Sequence, residues 1–293
     1  MFHKAKQYIR EHKARKRSNR STVASVFIFV FLLAVAAFMM LPLIYSVMTA
    51  LKPLDELYAF PPKFFVVRPT LDNFKLLFKV TANLLVPFSR YAFNSIFTAT
   101  VATVLHVIFA SMAAFPLAKY NLKINWFFKV VVISLLFNST VLWLPQYVLM
   151  AKVGMLNTYW VYILPFVGSS LGLFLMKQFM EQLPDALLES AQLDGASHTR
   201  VLFSIVMPLV KPAWLTLAIF AFQSAWNGAN AALVYDEELK VISTAISQVG
   251  AGGITRTGAS MAGSLFIIIP PILVFAFSQN SVIETMAQSG VKE

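Results

Sequence analysis

The chain contains no cysteine, which excludes disulfides, thiolate nucleophiles and cysteine-based metal sites while leaving the compartment open. Its four histidines, His3, His12, His106 and His198, are scattered without ligand spacing, so no metal site is expected. Charge is scarce as well, at 13% of 293 residues. There is no Walker lysine motif, no Rossmann fingerprint and no evident nucleophile–base pair, so the chain is read as having no catalytic or ATPase site of its own.

What is abundant is apolar surface. With 58% hydrophobic residues the chain carries more than a soluble domain could bury in one core, and a bilayer must be its solvent. The formal charge of +11 does not mark a nucleic-acid partner, because much of it lies in one run from Lys4 to Arg20 opposed only by Glu11. That run precedes the first apolar segment and fits a cytoplasmic tail facing membrane lipids. It is too long for the start of a cleavable signal, and the apolar segment after it runs past a signal core without a small-residue cleavage site, so that segment is read as a retained helix.

A spanning helix needs roughly 20 mostly apolar residues. Six stretches qualify, at about 23–47, 94–117, 126–150, 158–179, 209–227 and 259–281, which predicts an all-α membrane protein of six transmembrane helices. The division expected is a basic tail over 1–21, a six-span membrane domain over 22–283 and a short tail over 284–293. Basic residues translocate poorly. Eight of them sit in the first tail, and Lys119, Lys123, Lys177, Arg200, Lys211 and Lys292 fall in the inside loops or at the end, so both termini are placed in the cytoplasm. Six more, Lys52, Lys63, Arg68, Lys75, Lys79 and Arg90, crowd the first outside loop but are diluted over about 43 residues.

The loop at about 180–208 is long, polar and helix-forming. Two amphipathic stretches, Pro184–Leu193 and Ser197–Met207, flank Asp194-Gly195. Leu187, Leu188 and Ala191 form an apolar stripe on the first, and Val201, Leu202, Ile205 and Val206 on the second. Gly195 supplies a positive backbone angle at which one helix can end and another begin. Pattern alone leaves two readings: helices lying on the membrane surface, or a helix-turn-helix that projects to meet a partner.

The spacing of this loop is more specific. Glu189-Ser-Ala191, then Gly195, Ile205 and Met207-Pro208, resembles the signature Glu-Ala-Ala, three residues, Gly, nine residues, Ile, one residue, Leu-Pro of ABC importer permeases. Ser190 and Met207 are the two departures, and every spacing is kept. Val153–Trp160, Asp194–Ser197, Pro208–Pro212 and Ala225–Asn227 extend the likeness from about Leu71 to the C-terminus, toward the six-span second permease of carbohydrate importers such as the maltose transporter.

The resemblance implies a type I importer permease fold, and a coupling-helix loop in which Glu189, Ala191, Asp194, Gly195 and Ile205 seat against an ATP-binding subunit. Glu189 either pairs with a basic partner residue or stays a solvated charge. It also implies a second homologous permease, two ATP-binding subunits carrying ATP and Mg, an extracytoplasmic solute-binding protein and an oligosaccharide substrate, with no cofactor in this chain and no nucleic acid. The closing Val282–Glu293 looks like permeases for plant or algal oligosaccharides, including alginate-type importers. Related permeases often carry aspartate after Trp-Asn; Gly228 stands here, so no role of that acid carries over.

Polar residues at membrane depth face a cavity or a neighbouring helix. Asn138, Gln223, Trp226 and Asn227 are the candidates for the substrate path, as amides and an aromatic suited to sugar; Ser139, Thr140, Gln146, Ser169, Ser170, Gly172 and Ser224 are other polar or small positions in the spans. Helix packing and an interfacial tryptophan belt explain the same residues equally well. The segment 228–258, with Gly250, Gly252, Gly253 and Gly258, either reaches the binding protein or serves as a linker. The positive first outside loop suits an anionic cargo, lipid headgroups or the binding protein.

Three rivals differ in kind. An ion-coupled transporter needs ionisable residues in its spans and often a repeat, and only Lys129 and His106 offer themselves. A lipid-modifying enzyme needs a charged cluster at an interface. An ABC importer of peptide, polyamine or phosphonate would share the loop signature.

Overall fold

The computed structural model describes residues 22–82, 86–120, 125–137, 139–228 and 230–290; the basic tail, Asn138 and the last three residues lie outside them. Among the described residues every regular element is helical. The first, α1 (Thr22–Ala50), has 29 residues. At 1.5 Å per residue it is ~44 Å long, more than the ~30 Å hydrocarbon core requires. Val23, Phe27, Phe31 and Phe38 along it are all more than half exposed, as a lipid-facing helix requires.

The chain then forms a folded loop rather than a loose one. Glu56 accepts the backbone N–H groups of Val67 at 3.0 Å and Arg68 at 2.9 Å. A short amphipathic helix, α2 (Asp72–Ala82), follows, which the hydropathy pattern did not anticipate because it is too polar to span. Its buried Asn73 donates to the carbonyls of Ala50 at 2.9 Å and Lys52 at 2.7 Å, closing the free end of α1.

Helix α3 (Phe88–Lys119) is the centre of the molecule. Its 32 residues reach ~48 Å, the full depth of a bilayer with its headgroups. Asn94, Ser95, Thr98, Ala99, Ala102, Ala110, Ser111 and Ala114 form one buried face of small residues. In lipid, where no hydrophobic effect drives helices together, such a face permits close van der Waals contact. The hydroxyls do not compromise it, because Thr98, Thr103 and Ser111 each donate to the carbonyl four residues back at 2.6–2.7 Å.

Packed around α3 are α6 (Trp160–Val167), α7 (Ser170–Glu181) and α10 (Lys211–Trp226). The last long helix, α12 (Thr257–Gly290), lies on α10, α1 and α2. It continues beyond residue 283, where a tail was expected. Among the described residues four helical stretches are long and apolar enough to cross a membrane, or five if the pair His198–Leu209 and Lys211–Trp226, bent by 85°, counts as one span. The third expected span is carried by α4 (Asn125–Ser134) and α5 (Ser139–Lys152) in series.

The fourth span is also divided, at Gly168-Ser169 between α6 and α7. A break in lipid frees carbonyls that no water can satisfy. His106, 2% exposed, faces this one: its Nδ1 lies 3.2 Å from the Val167 carbonyl, and the tautomer protonated there donates to it. Gly172 makes room for that ring, since a Cβ at this position would stand 2.3 Å from His106 Nε2. Gly172→Val is therefore expected to destabilise the protein by about 1–3 kcal/mol through overpacking. Thermal unfolding in detergent measures this, and an unchanged midpoint would mean that α3 and α7 are not in such close contact.

Candidate functional site

The loop singled out in the sequence is a compact hairpin of helices. Helix α8 (Asp185–Leu193) ends at Gly195, whose φ is +83°. The Gly195 N–H donates to Gln192 O at 2.9 Å and the Ala196 N–H to Ala191 O at 3.0 Å, the paired bonds of a Schellman motif. Two residues later Ser197 caps α9 (His198–Val201), accepting from the Arg200 N–H at 3.4 Å. No atom lies within 4 Å of a Cβ placed at Gly195, so the glycine is required by its backbone angle and not by space. A π-helical turn, Leu202–Val206, and the short Met207–Leu209 complete the second arm.

Leu188, Val201, Leu202 and Val206 are buried in one cluster with Phe115, Met176, Phe179 and Leu217 of the membrane helices. Leu188, Ala191, Val201, Leu202 and Val206 of the two stripes therefore face the body of the protein, whereas Leu187 of the first stripe is 40% exposed. Ala191 packs against the same cluster, and Ile205 is half-buried. Glu189, Asp194 and Gly195 are exposed, and Leu193 at the tip is 89% exposed. Glu189 makes no ion pair among the described residues and borders a cavity of ≈ 260 Å³ with Lys119, Tyr120, Asp185 and Gln192.

Lys119 and Tyr120, at the end of α3, hold the hairpin. Lys119 Nζ, in a side chain only 5% exposed, donates to the Leu183 carbonyl and pairs with Asp185 at 2.8 Å. The Tyr120 hydroxyl meets His198 Nδ1 at 2.8 Å and accepts from Gln192 Nε2 at 3.4 Å. Both arms are thus fastened to one point. None of these contacts could be anticipated from local pattern, since they join residues 64 to 78 apart.

The opposite end of α3 holds the segment 230–256. Asn94 Nδ2 donates to the carbonyls of Glu238 and Lys240, each at 2.8 Å, while its Oδ1 accepts from Tyr159 Oη at 2.7 Å. Ser95 Oγ accepts the Ile242 N–H at 2.8 Å, and Arg90 Nε donates to Glu238 O at 3.2 Å. Asn157, at φ +58°, accepts the N–H groups of Tyr235 and Asp236. This segment carries its own amphipathic helix, α11 (Ile242–Gly250), with Ile242, Ala245, Ile246 and Val249 buried. It is an ordered cap, not a loose linker.

The substrate-path candidates are not gathered into one site. Gln223 is half-buried and Asn227 exposed near the end of α10. Trp226 is 2% exposed, and its indole N–H donates to Ile267 O at 2.8 Å. Ile267 lies four residues before Pro271, which has no N–H to give it, so Trp226 repairs a gap in α12. Asn138 lies outside the described residues. Ser169 and Ser224 share a small cavity of ≈ 50 Å³ with His106, Phe166 and Phe220, a juxtaposition of three helices that reading the spans singly missed. Ser170 Oγ lies 2.5 Å from Ser134 Oγ, and Gln146 borders a cavity of ≈ 350 Å³. Gly228 has φ +67°, and a Cβ there would stand 2.7 Å from Ser243 Oγ, so both angle and space favour glycine.

Glu237 closes the cap onto α3. It accepts from Tyr91 Oη at 2.7 Å and pairs with Lys240 at 2.5 Å, with both charged side chains nearly buried. Burial pushes its carboxyl up, but the hydrogen bonds from Lys240 and Tyr91 and the Lys240 charge outweigh it and hold the carboxyl below the usual range. A carboxylate depressed in this way adds stability above its unfolded pKa, about 4.3, which is lost as pH falls through the folded value. Glu237→Gln should cost about 1 kcal/mol at neutral pH and flatten the acid side of the pH–stability curve. Identical acid limbs for the two proteins would refute the assignment.

Comparison with known proteins agrees with this architecture. A family model described as the inner membrane component of binding-protein-dependent transport systems matches residues 106–287. The arabinooligosaccharides transport system permease protein AraQ of Halalkalibacterium halodurans is 30% identical over 275 residues, covering 90% of this chain and 94% of its own. Protein LplC of Bacillus subtilis is 35% identical over 211 residues, covering 70% and 68%. In fold, a chain from the crystal structure of a bacterial ABC transporter involved in the import of the acidic polysaccharide alginate matches with a TM-score of 0.74 at 21% identity, covering 90% of this chain and 99% of that one. The all-helical fold is that of a type I ABC importer permease. The chain belongs to the inner membrane components of binding-protein-dependent transport systems.

Proposed function

We propose that this chain forms half of the translocation path of an ATP-driven importer for an oligosaccharide delivered by an extracytoplasmic binding protein. A second, homologous permease supplies the other half, and two ATP-binding subunits carry the ATP and Mg. The observation that carries this reading is the hairpin: a stiff helix pair with its apolar faces engaged inward, its tip exposed, and both arms fastened to the end of α3. Glu189, Ala191, Asp194, Gly195 and Ile205 are its coupling residues. Exposed Glu189, Leu193 and Asp194 present the docking surface, while Ala191 seats the hairpin on the membrane body and Ile205 is half-buried in the second arm.

With the hairpin in the cytoplasm, both termini are cytoplasmic, the tail before residue 22 meets membrane lipid, and the cap over 230–256 faces the binding protein. The path runs past Gln223 and Asn227, with Trp226 in the wall behind them and Asn138 on the third span. Oligosaccharide as cargo is supported by the relatives named for arabinooligosaccharide and alginate transport.

The test is ATP hydrolysis by the complete complex, reconstituted with its binding protein and a panel of neutral and uronate oligosaccharides. Stimulation by one class is expected, and it names the cargo. A well-assembled complex that no sugar stimulates would redirect the assignment to a non-carbohydrate solute. Within that assay Gly195→Val should strain the turn by about 1–2 kcal/mol and depress sugar uptake; uptake at the wild-type rate would remove the hairpin from the coupling path.

A further inference from the structure

The hairpin does not run straight into the membrane. Between His198–Leu209 and Lys211–Trp226 the axis turns by 85°. Val210, at φ −93° and ψ 25°, is outside both helices, and Pro212 has no N–H to offer the Pro208 carbonyl. The arm leading into the bend contains the π-helical turn Leu202–Val206, wider than an α-helical one. Left to its backbone, this is a soft joint with an interrupted hydrogen-bond ladder. It stands between the hairpin and the span that the hairpin would have to move.

One side chain bridges it. The Trp214 indole N–H donates to the Met207 carbonyl at 3.0 Å, reaching back seven residues across the bend. Its backbone N–H donates to Val210 O at 3.3 Å, so one residue is tied to both sides of the corner. The ring packs against the cluster that holds Leu188, Leu202, Val206 and Val210, the same residues that seat the hairpin. The other backbone ties at the corner, Val210 N–H to Val206 O and Ala213 N–H to Val210 O, both at 3.0 Å, each join Val210 to one side only, and neither reaches from one helix to the other.

We infer that Trp214 is a positioning residue for coupling: its indole N–H fixes the angle between hairpin and α10, so that a displacement of the hairpin is transmitted to the span instead of being absorbed at the joint. This rests on the hairpin being the element that meets the ATP-binding subunit. A bistable or rigid linkage transmits motion only if the joint itself has no cheap alternative angle. Removing the indole donor supplies one, because the Met207 carbonyl is freed from the far side of the corner.

Trp214→Phe separates the hydrogen bond from the packing, since it keeps an aromatic ring and removes the donor. In the reconstituted complex it is expected to hydrolyse ATP within about twofold of wild type yet transport at least about fivefold less sugar per ATP. A proportional fall in both rates, or no fall in either, overturns the inference. A second measurement needs neither cargo nor nucleotide and stands independently of the importer reading. Because the chain has no native cysteine, spin labels can be placed directly at Thr199 and Phe220, both exposed, on either side of the corner. The inter-label distance distribution should be narrow in the otherwise wild-type protein and broader in Trp214→Phe, and equal widths would exclude the bridge as what sets the angle. Trp214→His, which retains a ring N–H, should narrow the distribution again relative to Trp214→Phe.

Discussion

Among the described residues, α6, α7, α10 and the two polar segments at either end are arranged along one helix that is long enough to touch both sides of the membrane. Helix α3 offers a continuous small-residue face to α6, α7 and α10, and its two ends carry the polar groups that fix the functional segments. Lys119 and Tyr120 hold the hairpin at one end, and Arg90, Tyr91, Asn94 and Ser95 hold the cap at the other. The small-residue face makes the contact close, and closeness makes the helix a rigid strut. The anchors of the hairpin and the cap are about 40 Å apart along this helix, yet neither segment can shift far without pulling on the same element.

The second constraint is that lipid satisfies no hydrogen bond, so each interruption of a span must be repaired from within. Three interruptions here are met by ring N–H groups. His106 faces the Val167 carbonyl at the split between α6 and α7, Trp214 takes the Met207 carbonyl at the corner before α10, and Trp226 takes the Ile267 carbonyl ahead of Pro271. Rings serve this role well because they fill volume and deliver one directed donor, leaving no second polar atom that needs a partner in the case of indole. The same geometry explains why Trp226 does not present its polar edge as a sugar platform: its one donor is already engaged.

Much of this was legible in the sequence, and the boundary is physical. Apolar runs identify spans because helix length is set by bilayer thickness, and α3 and α12 were found that way. The hairpin was legible because its determinants are local: stripes at helical spacing and a glycine at the left-handed position act within a few residues. Glu189 and Asp194 lie exposed on that hairpin. The clasp at Lys119 and Tyr120 was invisible, since Lys119 read only as a charge for orientation and His198 only as a scattered histidine. Helix α2 escaped because an interfacial helix has neither the length nor the hydropathy of a span. The division of the third span between α4 and α5 has no proline or glycine at the break to announce it.

The first outside loop shows how far a charge count can mislead. Its six basic residues suggested a field favouring anionic cargo, but the fold engages most of them. Lys52 is 3% exposed, with its Nζ on the Lys63 carbonyl and 5.4 Å from the centre of the Tyr45 ring. Arg68 pairs with Asp55 and Glu56, Lys75 with Asp72, and Arg90 is turned onto the Glu238 carbonyl. An ion pair at short range presents little net charge beyond a Debye length of about 8 Å at physiological salt. The loop therefore exerts a weaker attraction on a diffusing anion than its composition suggests. On the proposed path Gln223 and Asn227 carry no charge with which to recognise a uronate, so any preference for an acidic sugar would have to be set elsewhere in the complex.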